Sequence, residues 1–125
     1  MGGLADGSKD LADARAQVAE GIAALLPDAE ALGVPLAIEP LHPMYAADRA
    51  CVNTIEQALE ICALVDPGAS GFLGLAIDVY HTWWDPRLSA MIARTAAENR
   101  LNVPRQPDEA GQQAINRAFY RCSWP

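Results

Sequence analysis

Three stretches of the chain have apolar residues at every third or fourth position, which is the spacing of one face of an amphipathic helix. Such a face packs against a core while the other positions stay in water. The pattern predicts helices at about 10–32, 54–65 and 86–97. A short polar residue precedes each stretch and can cap the first amide groups of the helix. The candidate caps are Ser8 or Asp10, Asn53 or Thr54, and Asp85.

Two short runs between the predicted helices are apolar on both faces, as buried parallel strands are. They lie at 34–39 and 72–78, and each ends in a carboxylate. Side chains alternate along a strand, so Leu36 and Ile38 face the side opposite to Glu39. Parallel strands are joined by right-handed crossovers, which place successive helices on one face of the sheet. We therefore expect the two runs to be adjacent parallel strands with all three helices packed on one side.

A seven-residue pattern, Leu-Ala-Ile-[Glu/Asp]-x-x-His, occurs twice in the chain. The copies lie at 36–42 and 75–81, 39 residues apart, and they contain the only two histidines, His42 and His81. A strand, a helix and their loops fill about 30–45 residues, so the offset matches one β/α unit. Buried strands can resemble each other by chance, but chance similarity does not explain the paired histidines. The repeat predicts that each strand delivers a carboxylate and an imidazole to the same edge of one sheet, where α/β proteins place their chemistry.

Length and charge limit the classes of protein that remain. With 125 residues, the chain has room for at most one ordinary domain. Its net charge of −7 argues against nucleic acid or an anionic membrane as a partner, because both require clustered Lys and Arg. No apolar run approaches the roughly 20 residues of a membrane span. The three scattered cysteines have no Cys-x-x-Cys spacing, and we expect reduced thiols in a cytoplasmic protein.

The character of the sequence changes near residue 99. Residues 1–98 have 5 basic and 14 acidic side chains, whereas residues 99–125 have 4 and 2. The second segment also lacks a further apolar strand pattern, although a short helix at about 110–119 fits its spacing. We therefore predict a partial domain at 1–98, followed by a divergent, poorly ordered tail at 99–125.

The motifs resemble those of the xylose isomerase-like TIM-barrel superfamily, which contains sugar phosphate isomerases and epimerases and also apurinic endonucleases. The resemblance rests on the segments 35–43 and 73–81, on the long helix before them, and on the Trp-Trp-Asp-Pro at 83–86. It covers about residues 2–97. A complete barrel of this type has eight strands and about 250 residues. The resemblance therefore implies an α/β fold that is an incomplete (β/α)8 TIM barrel, roughly half of the whole.

The resemblance also assigns roles to the repeated motifs. It implies that Glu39 and Asp78 are metal ligands, that Glu39 doubles as a catalytic acid/base, and that His81 is a catalytic group near the substrate or the metal-bound water. Oxygen-rich ligands suit manganese or magnesium, and an added imidazole admits zinc or cobalt. In the family, a further His and Glu ligand come from later strands, and 99–125 supplies no histidine. From the residues alone, a salt bridge between Glu39 and Arg49, or a bond to a loop amide, remains the alternative for this carboxylate.

Several polar and aromatic loop residues lie near the expected site. His42, Tyr45 and Arg49 are predicted to bind substrate, and Asn53 is a weaker candidate for the same role. Trp83 and Trp84 suit either the wall of a sugar pocket or a cover for the apolar edge of the third helix, and we favour the cover.

These observations predict a metal-dependent sugar or sugar phosphate isomerase or epimerase that uses an enediol-type proton transfer, impaired in this partial chain. Whether the chain is itself an enzyme stays open. One alternative is a non-catalytic half-barrel, either a remnant or a binding module. Another is an endonuclease-like or lyase member of the superfamily, which the acidic charge disfavours. We expect a small sugar or sugar phosphate as partner, no nucleic acid or membrane, and self-association through open strand edges.

Overall fold

The computed structural model describes residues 7–46 and 48–101. Helix α1 (Leu11–Leu32) leads into strand β1 (Leu36–Ile38), and a 3-10 turn (Pro43–Tyr45) follows. Helix α2 (Ile55–Val65) and strand β2 (Leu73–Leu75) form the next unit. A four-residue helix α3 (Val79–Thr82) precedes helix α4 (Leu88–Ala97). The described residues contain no helix that is both long and apolar enough to cross a membrane.

The three predicted helices are present, and local capping explains their starts. The Asp10 side chain accepts hydrogen bonds from the amides of Ala12 and Asp13, and the Thr54 side chain accepts one from Gln57. Asp85 accepts from the amide of Arg87, but α4 begins only at Leu88. The third helix therefore starts two residues later than predicted, because Arg87 has a ψ of 6° and is not yet helical.

Strands β1 and β2 are adjacent and parallel, as predicted, with Leu36 opposite Leu73 and Ile38 opposite Leu75. Both strands are shorter than the apolar runs that predicted them. At the start of β1, the Val34 amide is already bonded to the Ala29 carbonyl as part of the end of α1. Pro35 has no amide proton to give. The ladder between the strands therefore begins only at Leu36, whose amide donates to the Phe72 carbonyl.

The two copies of the repeat are staggered along the sheet. Paired residues of β1 and β2 lie 37 positions apart in the sequence, whereas equivalent residues of the repeat lie 39 apart. Asp78 therefore lies two residues beyond the position that the strand pairing places opposite Glu39. Stagger between neighbouring strands is what closes a parallel sheet into a barrel. Because two is an even number, the stagger keeps equivalent side chains on the same face of the sheet.

One face of the sheet packs against the helices. Ile38, Leu73 and Leu75 are buried in a single cluster with side chains of α1 and α2, and Leu88 and Met91 of α4 pack against it. This places the three long helices against a shared core, as the crossover rule requires. Ala37 and Glu39 on the other face are exposed. The face that lines the axis in a complete barrel is thus open in the described part of the chain.

Two residues after Glu98 are bonded to β2. The Leu75 amide donates to the Arg100 carbonyl at 2.7 Å, and Leu101 forms a parallel bridge with Leu75. These residues belong to the segment that we assigned to a tail on the basis of its charge and of its missing apolar strand pattern. The rest of that predicted tail, including the short helix at 110–119, lies outside the described residues.

A buried ion pair connects Arg100, in the segment after α4, with Asp66 at the end of α2. The guanidinium of Arg100 donates to the Asp66 carboxylate at 2.6 Å and to the Leu73 carbonyl at 3.1 Å. Arg100 is 4% exposed and Asp66 6%. Burial alone would raise the pKa of Asp66, but hydrogen bonds from Ser70 and from Arg100 outweigh it, so this pKa lies below its ordinary value. The pair therefore fixes the end of α2, the start of β2 and the segment after α4 relative to one another.

We predict that Asp66→Asn destabilises the fold by about 3 kcal/mol or more, because it leaves the Arg100 charge buried without a partner. The lowered pKa also means that wild type gains stability from ionised Asp66 above the unfolded pKa and loses it as the pH falls through the lower, folded value. In urea unfolding, wild type should lose more stability between about pH 5 and pH 3 than the variant does. The control is Asp48→Asn, whose exposed pair with Arg49 should contribute little. Equal pH dependence in wild type and Asp66→Asn would contradict this account.

A second prediction concerns the open side of β1. An apolar groove beside this strand is lined by α1 and by both strands, and Leu25 in it is 56% exposed. Because an open edge and an exposed apolar groove favour association, we predict that the isolated chain forms oligomers. Leu25→Glu should shift sedimentation towards the monomer, whereas Leu64→Glu, at an exposed position on α2, should not. A compact monomer of the unmodified chain at high concentration would show that this prediction is wrong.

Candidate active site

The two carboxylates of the repeat lie just beyond the ends of the strands. Glu39 directly follows β1 and is exposed. Asp78 lies three residues after β2 and caps α3, with its Oδ1 accepting the Tyr80 amide at 2.8 Å. Since a parallel sheet carries the carboxyl ends of neighbouring strands at one edge, both side chains belong to the same end of the fold.

Glu39, Asp78 and His81 form a cluster in which a carboxylate oxygen of each acid and a ring nitrogen of the histidine lie within 4.8 Å of one another. The sequence predicted that the carboxylates converge and that His81 joins them, and this geometry is confirmed. His42, the other histidine of the repeat, is not part of the cluster. Two carboxylates this close repel each other unless a cation or a proton lies between them.

None of the salt bridges between described residues involves Glu39 or Asp78. The alternative of a pair between Glu39 and Arg49 is not what the structure contains. The Arg49 guanidinium lies 2.6 Å from Asp48 and 5.2 Å from the centre of the Tyr45 ring. Two carboxylates that form no salt bridge with lysine or arginine suit a small, hard cation.

His81 is held by its main chain and by its ring. The Trp84 indole donates to the His81 carbonyl at 2.9 Å, and the His81 amide donates to the Asp78 carbonyl at 3.1 Å. On the ring, Nδ1 accepts the main-chain amide of His42 at 3.4 Å. The two loops that follow β1 and β2 are thus joined through the two histidines of the repeat.

Aromatic rings surround this connection. The His42 ring stacks on Trp83 at 6.4 Å and meets Trp84 edge-on at 6.1 Å. The Tyr45 ring meets His81 edge-on at 6.0 Å. Both tryptophans thus contact the loop after β1, a contact that the sequence analysis did not anticipate. Trp83 remains 67% exposed beside the carboxylates' end of the sheet.

The remaining predicted substrate contacts differ in their surroundings. Tyr45 lies against His81, and Arg49 lies against Tyr45. Asn53 is buried, and its side-chain amide donates to the Leu41 carbonyl at 3.1 Å. It therefore shapes the loop after β1, which the amide of Leu41 also anchors by donating to Val52.

Sequence reasoning missed two supports of the site. The first is the Trp84 indole, because the short helix α3 that brings it to His81 was not predicted. The second is Gln57, whose side-chain oxygen accepts a hydrogen bond from the main-chain amide of Asn53 at 2.9 Å. A signal for Gln57 was present, since Thr54 followed three residues later by Gln is the pattern of a capping box.

Comparisons with known proteins agree with this fold. The sequence model of the xylose isomerase-like TIM-barrel family matches residues 1–112. The chain is also similar to the crystal structure of protein SMc04130 from Sinorhizobium meliloti 1021, with 61% identity and a TM-score of 0.73. The match covers 80% of this chain and 35% of that one, so the chain spans about a third of the length of its solved relative. No curated protein shows a significant match.

Proposed function

Because the chain belongs to the xylose isomerase-like TIM-barrel family, we propose that Glu39, Asp78 and His81 form part of a divalent-metal site for sugar isomerisation or epimerisation. The family contains sugar isomerases, epimerases and endonucleases. The observation that supports the proposal is the convergence of two carboxylates and an imidazole within 4.8 Å. In the part of the chain that the structure describes, neither acid forms a salt bridge with a lysine or an arginine.

Glu39 and Asp78 would hold the cation, for which manganese or magnesium is the first choice and zinc or cobalt the second. A bound divalent ion polarises the carbonyl and hydroxyl of a sugar. Glu39 then takes the proton from the carbon next to the carbonyl, which gives an enediol-type intermediate of the substrate. Epimerisation would also need a proton donor on the opposite face of the same carbon, because Glu39 serves only the face from which it takes the proton. Returning it to the neighbouring carbon, with a matching proton shift between the two oxygens, gives an isomer.

The surrounding residues suit a small polyol. The exposed Trp83 and the Tyr45 ring offer flat apolar surfaces for the C–H faces of a sugar. Arg49 offers a guanidinium to a phosphate group, because its bond to Asp48 is exposed and exposed ion pairs are weak. The net charge of −7 favours this substrate class over a nucleic-acid backbone.

A non-catalytic half-barrel is the second candidate, and one observation favours it. The family's further His ligand has no counterpart, because the chain has only two histidines and both belong to the repeat. With two carboxylates as its main ligands, the site should bind metal weakly, and turnover by this chain alone should be low or absent. Robust isomerase activity of the isolated chain would refute this view of what the site lacks.

Calorimetric titration with manganese tests the proposed site. Wild type should bind one ion weakly, and Asp78→Asn and Glu39→Gln should each reduce the affinity about tenfold or more, because each removes a charged ligand and keeps its shape. The matched control is Glu60→Gln, which removes an exposed carboxylate on α2, away from the cluster. Equal binding by wild type and by both site variants would refute the proposal.

A further inference from the structure

The loop after β1 directs a main-chain donor at the ring of His81. The His42 amide lies 3.4 Å from His81 Nδ1 and donates to it. This donor is held in place on both sides. On the N-terminal side, the Leu41 amide donates to the Val52 carbonyl, and the Leu41 carbonyl accepts from the Asn53 side chain. On the C-terminal side, the Met44 amide donates to His42 Nδ1 at 3.2 Å. The position of the amide is therefore fixed by the loop and not by the His42 ring alone.

We propose that the His42 main-chain amide keeps His81 as a hydrogen-bond donor and prevents its imidazole from becoming a metal ligand. A neutral imidazole has one protonated and one unprotonated nitrogen. Because Nδ1 accepts the His42 amide, the proton must be on Nε2. His81 then offers an N–H group to the carboxylates or to a substrate oxygen.

This conclusion holds whichever nitrogen faces the carboxylates. Coordination through Nδ1 would need the lone pair that already accepts the His42 amide. Coordination through Nε2 would move the proton to Nδ1, where it would point at the same amide. Histidines that bind metals instead donate their other ring N–H to an acceptor such as a carbonyl or a carboxylate. The second ring nitrogen of His81 instead faces a donor, the His42 amide.

The proposed exclusion of His81 makes the site prefer manganese or magnesium to zinc. If His81 is not a ligand, the ligands from the cluster are the carboxylate oxygens of Glu39 and Asp78, and oxygen ligands suit manganese and magnesium. An imidazole in the set would favour zinc. This consequence rests on the proposed metal site, whereas the placement of the proton on His81 does not. His42 is thus a positioning residue, and it acts through its backbone.

Two variants at one position separate the amide from the ring. His42→Ala removes the ring and keeps the amide proton. His42→Pro removes both, and the φ of −51° at this residue lies in the range of proline, so the backbone needs little change. Both variants lose the contacts with the two tryptophans and the bond to Met44. The difference between them therefore isolates the amide, provided that circular dichroism and melting show equal folding.

Zinc affinity is the first readout. We expect His42→Pro to bind zinc about tenfold or more tightly than His42→Ala, because only the proline variant frees His81 to coordinate. Manganese affinity should be equal in the two variants. Adding His81→Gln to His42→Pro should abolish the gain. Equal zinc affinity of the alanine and proline variants, with the metal site itself intact, would overturn the proposal.

The second readout is the tautomer of His81, measured by nitrogen NMR without metal at a pH where the ring is neutral. Either variant leaves His81 as the single histidine, so its signals need no further assignment. We expect the proton on Nε2 in wild type and in His42→Ala, and a larger share of the Nδ1–H form in His42→Pro. If no variant binds an ion, the proposed function fails, and the tautomers still decide this inference. A proton on Nδ1 in wild type, or equal tautomer populations in both variants, would overturn it.

Discussion

The parallel register between β1 and β2 determines where the candidate site of this protein lies. Leu36 pairs with Leu73, and the repeat is offset from this pairing by two residues. An even offset keeps Glu39 and Asp78 on the same face of the sheet, and a shift by a single residue would turn one of them to the other face. Two acidic side chains that lie close together on one face repel each other, and a bound cation would relieve this repulsion. The metal site that we propose follows from this constraint.

The second requirement is that the two loops stay together, and here local contacts dominate. Asp78 both belongs to the cluster and caps α3, the helix that carries His81. The His42 amide, the Trp84 indole and the Tyr45 ring also contact His81. Such support matters because a catalytic group that moves by about 1 Å loses much of its effect. The loop after β1 is long, and two of its residues, His42 and Tyr45, contact His81.

Much of the fold and of the cluster could be predicted from the sequence because it depends on local pattern. Apolar spacing gave the helices, and the repeat gave the parallel strands and the convergence of Glu39 with Asp78. The strand ends could not be predicted as well, because the amide of Val34 is used by the preceding helix. Arg100 lies in the segment that we assigned to a tail because its charge changes and its apolar strand pattern ends, yet Arg100 is buried against Asp66, 34 residues earlier. A partner so distant in sequence leaves no periodic signal. The four-residue helix α3 is likewise too short to produce one.

The central claim is that Glu39 and Asp78 jointly hold a divalent cation. Paramagnetic broadening of NMR signals by substoichiometric manganese tests it directly, because the effect falls steeply with distance from the ion. We predict that the signals of Glu39, Asp78 and His81 disappear first, while those of exposed acidic residues on the helices, such as Glu30 and Glu60, persist. Loss of signals at those helix positions, with the signals around Asp78 unchanged, would contradict the account.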